Sequence, residues 1–204
     1  MKKFLVFLFV VLILYLIGFF QIGYFFLFKS KNPHLCIIPV AGVKESELQS
    51  SFNELRPGGK KHRAIDIFAK KGTPVIASVN SVIIMTVPEI IGGKGGNLVM
   101  TLGEGRCVYI YSHLSKFGLG IRNGQVISIG KIIGHVGNTG NIKHTPSHLH
   151  FTIYKLYFSL KGIRYEPIDP YNRLVHQLIS IRNTALSISG LIKSCNNKPF
   201  TICY

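Results

Sequence analysis

Only two aspartates occur in the chain, and one of them, Asp66, sits where a carboxylate is costly. It lies in Ala64-Ile65-Asp66-Ile67-Phe68, among apolar neighbours at the start of what reads as a strand. A carboxylate buried there needs a hydrogen-bond partner or a metal. His62 stands four residues earlier. In a fully extended chain the two Cα atoms would be ~13 Å apart. Both can face one ion only if the chain turns between the Gly58-Gly59 loop and the strand. Taken alone, the two residues read more simply as a hydrogen-bonded His–Asp pair.

The second chemical element is His148-Leu149-His150, leading into Phe151-Thr152-Ile153-Tyr154. In a strand, residues i and i+2 share a face, so both imidazoles would face one groove while Leu149 points the other way. One of them could bind a metal and the other stand beside its bound water. A third histidine, His113, ends the apolar run Val108-Tyr109-Ile110-Tyr111-Ser112. His144 and His148 have helical i, i+4 spacing, but Pro146 between them removes a helical hydrogen bond, and that pairing is rejected. Two histidines and one aspartate make a three-ligand set with a fourth position free for water, the arrangement of catalytic rather than structural zinc. Cysteine ligand spacing is absent. So are a G-x-S-x-G elbow and, in the Gly92–Gly96 stretch, the Gly-Lys-Ser/Thr ending of a phosphate loop.

The elements that must position these side chains read as β. Runs such as Thr73–Val87, Asn97–Leu102, Arg106–Leu114 and His148–Tyr154 are rich in Val, Ile and Tyr, and Gly, Pro and Asn clusters bound them. Short strands at this spacing predict an all-β domain over residues 37–170, an antiparallel sheet or sandwich, rather than βαβ units. Over residues 171–193, Leu174, Leu178, Ile181 and Leu186 fall at near-helical spacing. They predict a short C-terminal amphipathic helix within 171–204, packed on the sheet or on a membrane surface.

Residues 4–28 carry no charge. As a helix they would be about 37 Å long, enough to span a bilayer core of ~30 Å with some tilt. A cleaved signal peptide is the rival, but its apolar stretch is usually only ~7–15 residues and ends at a small-x-small site, which the residues after Phe28 lack. A retained transmembrane anchor is therefore expected, followed by a brief linker at 29–36. Lys2 and Lys3 at one end and Lys29 and Lys31 at the other leave its orientation open.

The balance is 24 Lys and Arg against 8 Asp and Glu, a formal charge of +16. That suits an anionic partner, or a merely solvated surface. There is no ladder of alternating basic and aromatic residues of the kind that stacks nucleobases, so no nucleic acid is expected. Four cysteines are too few for a disulfide scaffold. Cys107 reads as a buried thiol; Cys195 and Cys203 could close a small loop in an oxidising compartment or stay free.

These motifs, in this order, resemble the lysostaphin-like family of zinc metallopeptidases, which cut peptidoglycan cross-links or stems. The family's H-x-G-x-D appears as His62-Arg63-Ala64-Ile65-Asp66. Its Tyr-x-His-Leu-Ser segment appears as Tyr111-Ser112-His113-Leu114-Ser115. Its closing His-Leu-His-Phe appears as Ser147-His148-Leu149-His150-Phe151. Gly72-Thr73-Pro74-Val75, Gly95-Gly96-Asn97, Gly124-Gln125-Val126 and Gly134–Gly140 fall between them in order, so the resemblance covers about Pro39 to Pro170.

The resemblance implies that His62, Asp66 and His150 bind Zn2+ and that His113 and His148 are the catalytic histidines. Tyr111 and Arg56 are candidates for contacts in a substrate groove. It also implies hydrolysis of a peptidoglycan peptide, and hence a domain on the outer side of the cytoplasmic membrane, held by a single-pass anchor, with room for a wall-enzyme partner. A non-catalytic wall-binding or regulatory module on the same fold is the alternative. Three positions depart from the family pattern: Ala64 stands for glycine, Pro146-Ser147 for Gly-Pro, and Thr152 for an acidic residue. They bear on loop shape and substrate preference rather than on ligands. Ala64 is expected at an ordinary φ, because the β-branched Ile65 follows it and the strand begins there.

Overall fold

A computed structural model describes residues 36–159 and 162–175. The expected anchor at 4–28, the linker up to residue 35, most of the C-terminal helix, and Cys195 and Cys203 lie outside the described residues. Among the described residues, no helix is long and apolar enough to cross a membrane.

Among the described residues, nine strands follow in chain order: β1 (Ile65–Phe68), β2 (Pro74–Ile76), β3 (Ser81–Val87), β4 (Asn97–Gly103), β5 (Cys107–Phe117), β6 (Val126–Ile127), β7 (Ile132–Val136), β8 (His148–Ser159) and β9 (Gly162–Ile168). All pairings are antiparallel. The stretch Thr73–Val87, one β-rich run in the sequence, is two strands with a turn at 77–80. The main path runs β1-β8-β5-β4-β3-β6; β9 pairs with β8, and β7 pairs with both β2 and β5.

The long β8 is the axis. Its first residues pair with β1 and its later ones with β9, while β5 lies along its other side. Residues alternate between the two faces of the sheet. Ile65 and Ile67 on β1, Leu149, Phe151 and Ile153 on β8, and Tyr109 and Tyr111 on β5 turn to one face and are buried. Val75, Ile133, Val136, Val40 and Leu174 join the same core. Fully burying side chains of this size stabilises by roughly 1.5–3 kcal/mol each. Leu174 belongs to residues 170–175, where a helix begins, so the described turn of the C-terminal helix packs into the core. The opposite face, at the end where β1 meets β8, carries Asp66, Phe68, His148 and His150.

Candidate metal centre and its histidine surround

Register assembles most of the cluster. Asp66 lies directly across from His150, and Phe68 across from His148. Their neighbours Ile65 and Ile67 face Phe151 and Leu149 on the core side. Slipping β1 by one residue would bury the carboxylate and expose the isoleucines, so burial of one face fixes the placement of the site on the other.

His62 arrives differently. Residues 52–63 fold back as a hairpin: Leu55 bridges Lys61, and the amides of His62 and Arg63 donate to the carbonyls of Glu54 and Phe52. Gly58 (φ 86°) and Gly59 (φ 73°) make its tip. The bend between hairpin and strand is taken by Arg63, at φ 62°. Ala64 is not left-handed, as expected from the β-branched residue that follows it.

The donor atoms of His62, Asp66 and His150 all lie within 4.8 Å of one another. His62 Nε2 is 3.1 Å from His150 Nδ1 and 3.2 Å from Asp66 Oδ1, and His150 Nδ1 is 2.9 Å from Oδ1. Tetrahedral zinc with ligand bonds of ~2.0–2.2 Å spaces its ligands by about 3.4 Å. The triangle's sides are about 0.2 to 0.5 Å short of that, so these residues fit the ion after a small outward shift. Protonation agrees. His62 Nδ1 is 3.1 Å from the Ser51 carbonyl oxygen, which can only accept, so Nδ1 carries the proton and Nε2 is left bare toward the triangle. His150 Nδ1 donates to Asp66 Oδ1, and cation binding there must displace that proton. Burial alone would raise the Asp66 carboxyl. The hydrogen bond from His150 Nδ1 and the His62 ring beside Oδ1 outweigh it and hold the group far below the usual carboxylate range, as an anion.

His113 reaches the site through an irregularity. The β4–β5 register jumps from Val99↔Tyr111 to Asn97↔Leu114, a bulge at Ser112 and His113, and His113 has φ 65°. A regular strand would send His113 to the core side with Tyr111. The bulge leaves it with Ser112 on the side of His150 and returns Leu114 to the core. The His113 ring centroid is 5.4 Å from that of His148 and 5.5 Å from that of His150. Nδ1 of His113 donates to the Thr139 carbonyl at 2.9 Å, and Nδ1 of His148 to the Pro146 carbonyl at 2.9 Å. In its neutral form each ring therefore keeps a bare Nε2. Burial and the neighbouring His150 push His113 down to about 4, so it is neutral near pH 7.

Thr139 is itself held. Its hydroxyl donates to the Leu114 carbonyl and accepts from the Asn97 amide. The loops at 92–96 and 139–142 then meet backbone to backbone. A Cβ on Gly96 would come within 2.3 Å of the Thr139 hydroxyl, and one on Gly140 within 2.4 Å of the Lys94 carbonyl. Only glycine permits either approach.

One of the two groove candidates is placed elsewhere than expected. Tyr111 is fully buried in the core, its hydroxyl bonded to the Ser78 amide and hydroxyl at 3.1 and 2.9 Å, so it lines no groove. Arg56 is half exposed at the rim, but its Nη2 lies 2.6 Å from Asp66 Oδ2, on the carboxylate's outer oxygen. The sequence reading missed Ser51, Thr139 and Pro146. Thr139 and Pro146 reach the histidines through main-chain carbonyls, which leave no signature in side-chain type.

An antiparallel β domain bearing a His-Asp-His cluster beside two further histidines offers a ligand set that could hold a metal ion. The chain matches the profile of peptidase family M23 over residues 60–170, and it belongs to that family. It is 32% identical over 106 residues to an L-Ala--D-Glu endopeptidase of Bacillus subtilis, a match covering 48% of this chain and 31% of that protein. It is 35% identical over 116 residues to the peptidoglycan DD-endopeptidase ShyA of Vibrio cholerae, covering 52% and 24%. Among solved structures it superposes on the antimicrobial peptidase lysostaphin of Staphylococcus simulans with TM-score 0.52 at 26% identity, covering 64% of this chain and 50% of that one. The chain thus spans a third or less of the length of these two curated relatives.

Proposed function

We propose that this chain is a zinc-dependent endopeptidase that hydrolyses peptide bonds of bacterial peptidoglycan. The observation that carries the reading is the convergence of three donor atoms at zinc spacing, flanked by two histidines whose bare Nε2 atoms stand on the same face. His62, Asp66 and His150 would hold the ion. Bound there, zinc supplies Lewis acidity and a water that ionises near neutral pH.

The remaining work falls to the chain itself. His113 and His148, fixed by the Thr139 and Pro146 carbonyls, accept a proton at Nε2 from the attacking water and return it to the leaving amine. Their protonated forms donate to the developing oxyanion. Arg56 holds the outer oxygen of Asp66 and so aims the inner one at the ion. The uncharged run at 4–28 supports a single-pass anchor in the cytoplasmic membrane, with the domain on the outer side where the wall lies.

The test is mass spectrometry of purified peptidoglycan after incubation with the detergent-solubilised full chain and zinc. New free amino and carboxyl termini at one peptide bond, lost with a chelator and restored by zinc, are expected. Wall binding with no cleavage at any zinc concentration would instead establish the non-catalytic module.

A further inference from the structure

The connections around the cluster share one sign of charge. Four of them meet at this end of the sheet: the hairpin at 52–63, the turn at 69–73 after β1, the loop at 88–96 before β4 and the loop at 137–147 before β8. Together they carry eight Lys or Arg against two glutamates, and all eight cations are exposed. Both glutamates already face a cation: Glu54 is 4.0 Å from Arg56, and Glu89 is 3.0 Å from Lys143. Among the described residues, Lys60, Lys61, Lys70, Lys71 and Lys94 have no carboxylate within ion-pair distance; Lys61 reaches only the Asn53 amide oxygen, at 3.3 Å.

The placement follows the walls of the site. Lys60 and Lys61 run directly into His62 on one side. Lys94 and Lys143 stand on the two loops that meet at Gly96 and Gly140 on the other, beside Thr139 and His113. Lys70 and Lys71 follow Phe68, whose ring packs 5.1 Å from that of His148. These lysines on the loops at both sides of the cluster, all but Lys143 without a carboxylate partner among the described residues, set up a positive field over it. A peptide lying across the cluster would pass between them. An uncharged peptide would gain nothing from that field, whereas each carboxylate on the peptide would.

We propose that these walls select acidic peptides, stems carrying free carboxylates, over uncharged ones such as oligoglycine. The inference rests on the endopeptidase reading and narrows its substrate class. An exposed ion pair is worth ~0.2–1 kcal/mol, or roughly 1.4- to 5-fold per contact, so two contacts give a preference of about two- to 25-fold. The preference is screened by salt.

Two stem peptides identical except at the α-carboxyl of γ-linked D-glutamate, one free acid and one carboxamide, test it on the solubilised full chain. We expect kcat/KM to favour the acid about two- to 25-fold at low ionic strength. The ratio should shrink in 0.5 M salt and fall toward one in Lys60→Gln/Lys61→Gln. Lys94→Gln/Lys143→Gln, on the opposite wall, serves if the first variant does not fold. A ratio within twofold of one in the unaltered protein overturns the inference. It is equally overturned if the lysine variants lose only their adhesion to intact walls bearing anionic polymer, which would assign the patch to polymer phosphates. If neither peptide is cut, anisotropy titration of the same two peptides decides. Preferential binding of the acid upholds the inference while the endopeptidase reading fails, and equal binding overturns it.

Discussion

Ser51 is the least obvious residue around the candidate metal centre, and Ser51→Ala separates its two roles. Its hydroxyl is 3.2 Å from His62 Nδ1, 3.4 Å from the Ala64 carbonyl and 3.4 Å from the Asp66 amide. Its carbonyl, which the substitution keeps, is 3.1 Å from the same Nδ1. A buried group left without its partner costs ~1–3 kcal/mol, and contacts as long as 3.4 Å put this one at the lower end. We therefore expect a loss of about 1–2 kcal/mol, seen as a fall in melting temperature of roughly 2–8 °C for a chain of this size in chelator. Because the carbonyl still fixes the proton on Nδ1, Nε2 stays bare. Zinc affinity should then drop less than the ~10- to 100-fold usual when an outer-shell partner is lost. The assay is a competitive zinc titration beside a thermal melt of the zinc-free protein. A hundredfold loss of affinity with an unchanged melt would refute the reasoning, since the hydroxyl would then be what orients His62.

Three further expectations follow from the same geometry. Tyr111→Phe leaves the buried Ser78 amide short of an acceptor and should cost ~1–3 kcal/mol in a denaturant melt while sparing turnover; a loss of activity at full stability would return Tyr111 to the groove. Ala64→Gly should lower stability by roughly 0.4–1 kcal/mol by freeing the unfolded chain, with turnover little changed, because Arg63 and not Ala64 takes the left-handed bend; a gain in both stability and activity would show that Ala64 is strained. Because His113 is held down at about 4, the unfolded chain binds its proton first, so the zinc-free protein should lose stability as pH falls from about 6.5 to 4. His113→Gln should flatten that slope in equilibrium unfolding at each pH, and an unchanged slope would assign it to other groups.

The chemistry was legible in the sequence because its residues are scarce and oddly placed. A lone aspartate between isoleucine neighbours and a His-x-His in a strand both declare a polar face on an apolar element, and the β1–β8 register bears out that sharing of a face. The need for a turn between His62 and Asp66 was also readable, though Arg63 as its left-handed residue was not, since arginine has no special taste for that region. Regular alternation misleads at β5. It places Tyr111 and His113 together, whereas a bulge with no glycine to mark it sends one to the core and the other to the His-Asp-His cluster. The hinge of the site is therefore a backbone event. So are the carbonyls that fix three histidine tautomers, because a main-chain acceptor looks the same whichever side chain it carries. Charge was visible as a total of +16, but its concentration around the cluster depends on which loops the topology gathers at one end of the sheet.

The central claim, that one zinc ion is held by His62, Asp66 and His150 and served by His113, is tested most directly by comparing metal content and hydrolysis in His150→Ala and His113→Ala. Removing a ligand removes a bond to the ion, whereas removing a proton carrier beside it leaves the ligand set intact. The account predicts that His150→Ala loses both zinc and peptidoglycan hydrolysis, while His113→Ala retains near-stoichiometric zinc and is inactive. Normal zinc in both variants, or loss of zinc from His113→Ala with retention in His150→Ala, would contradict it.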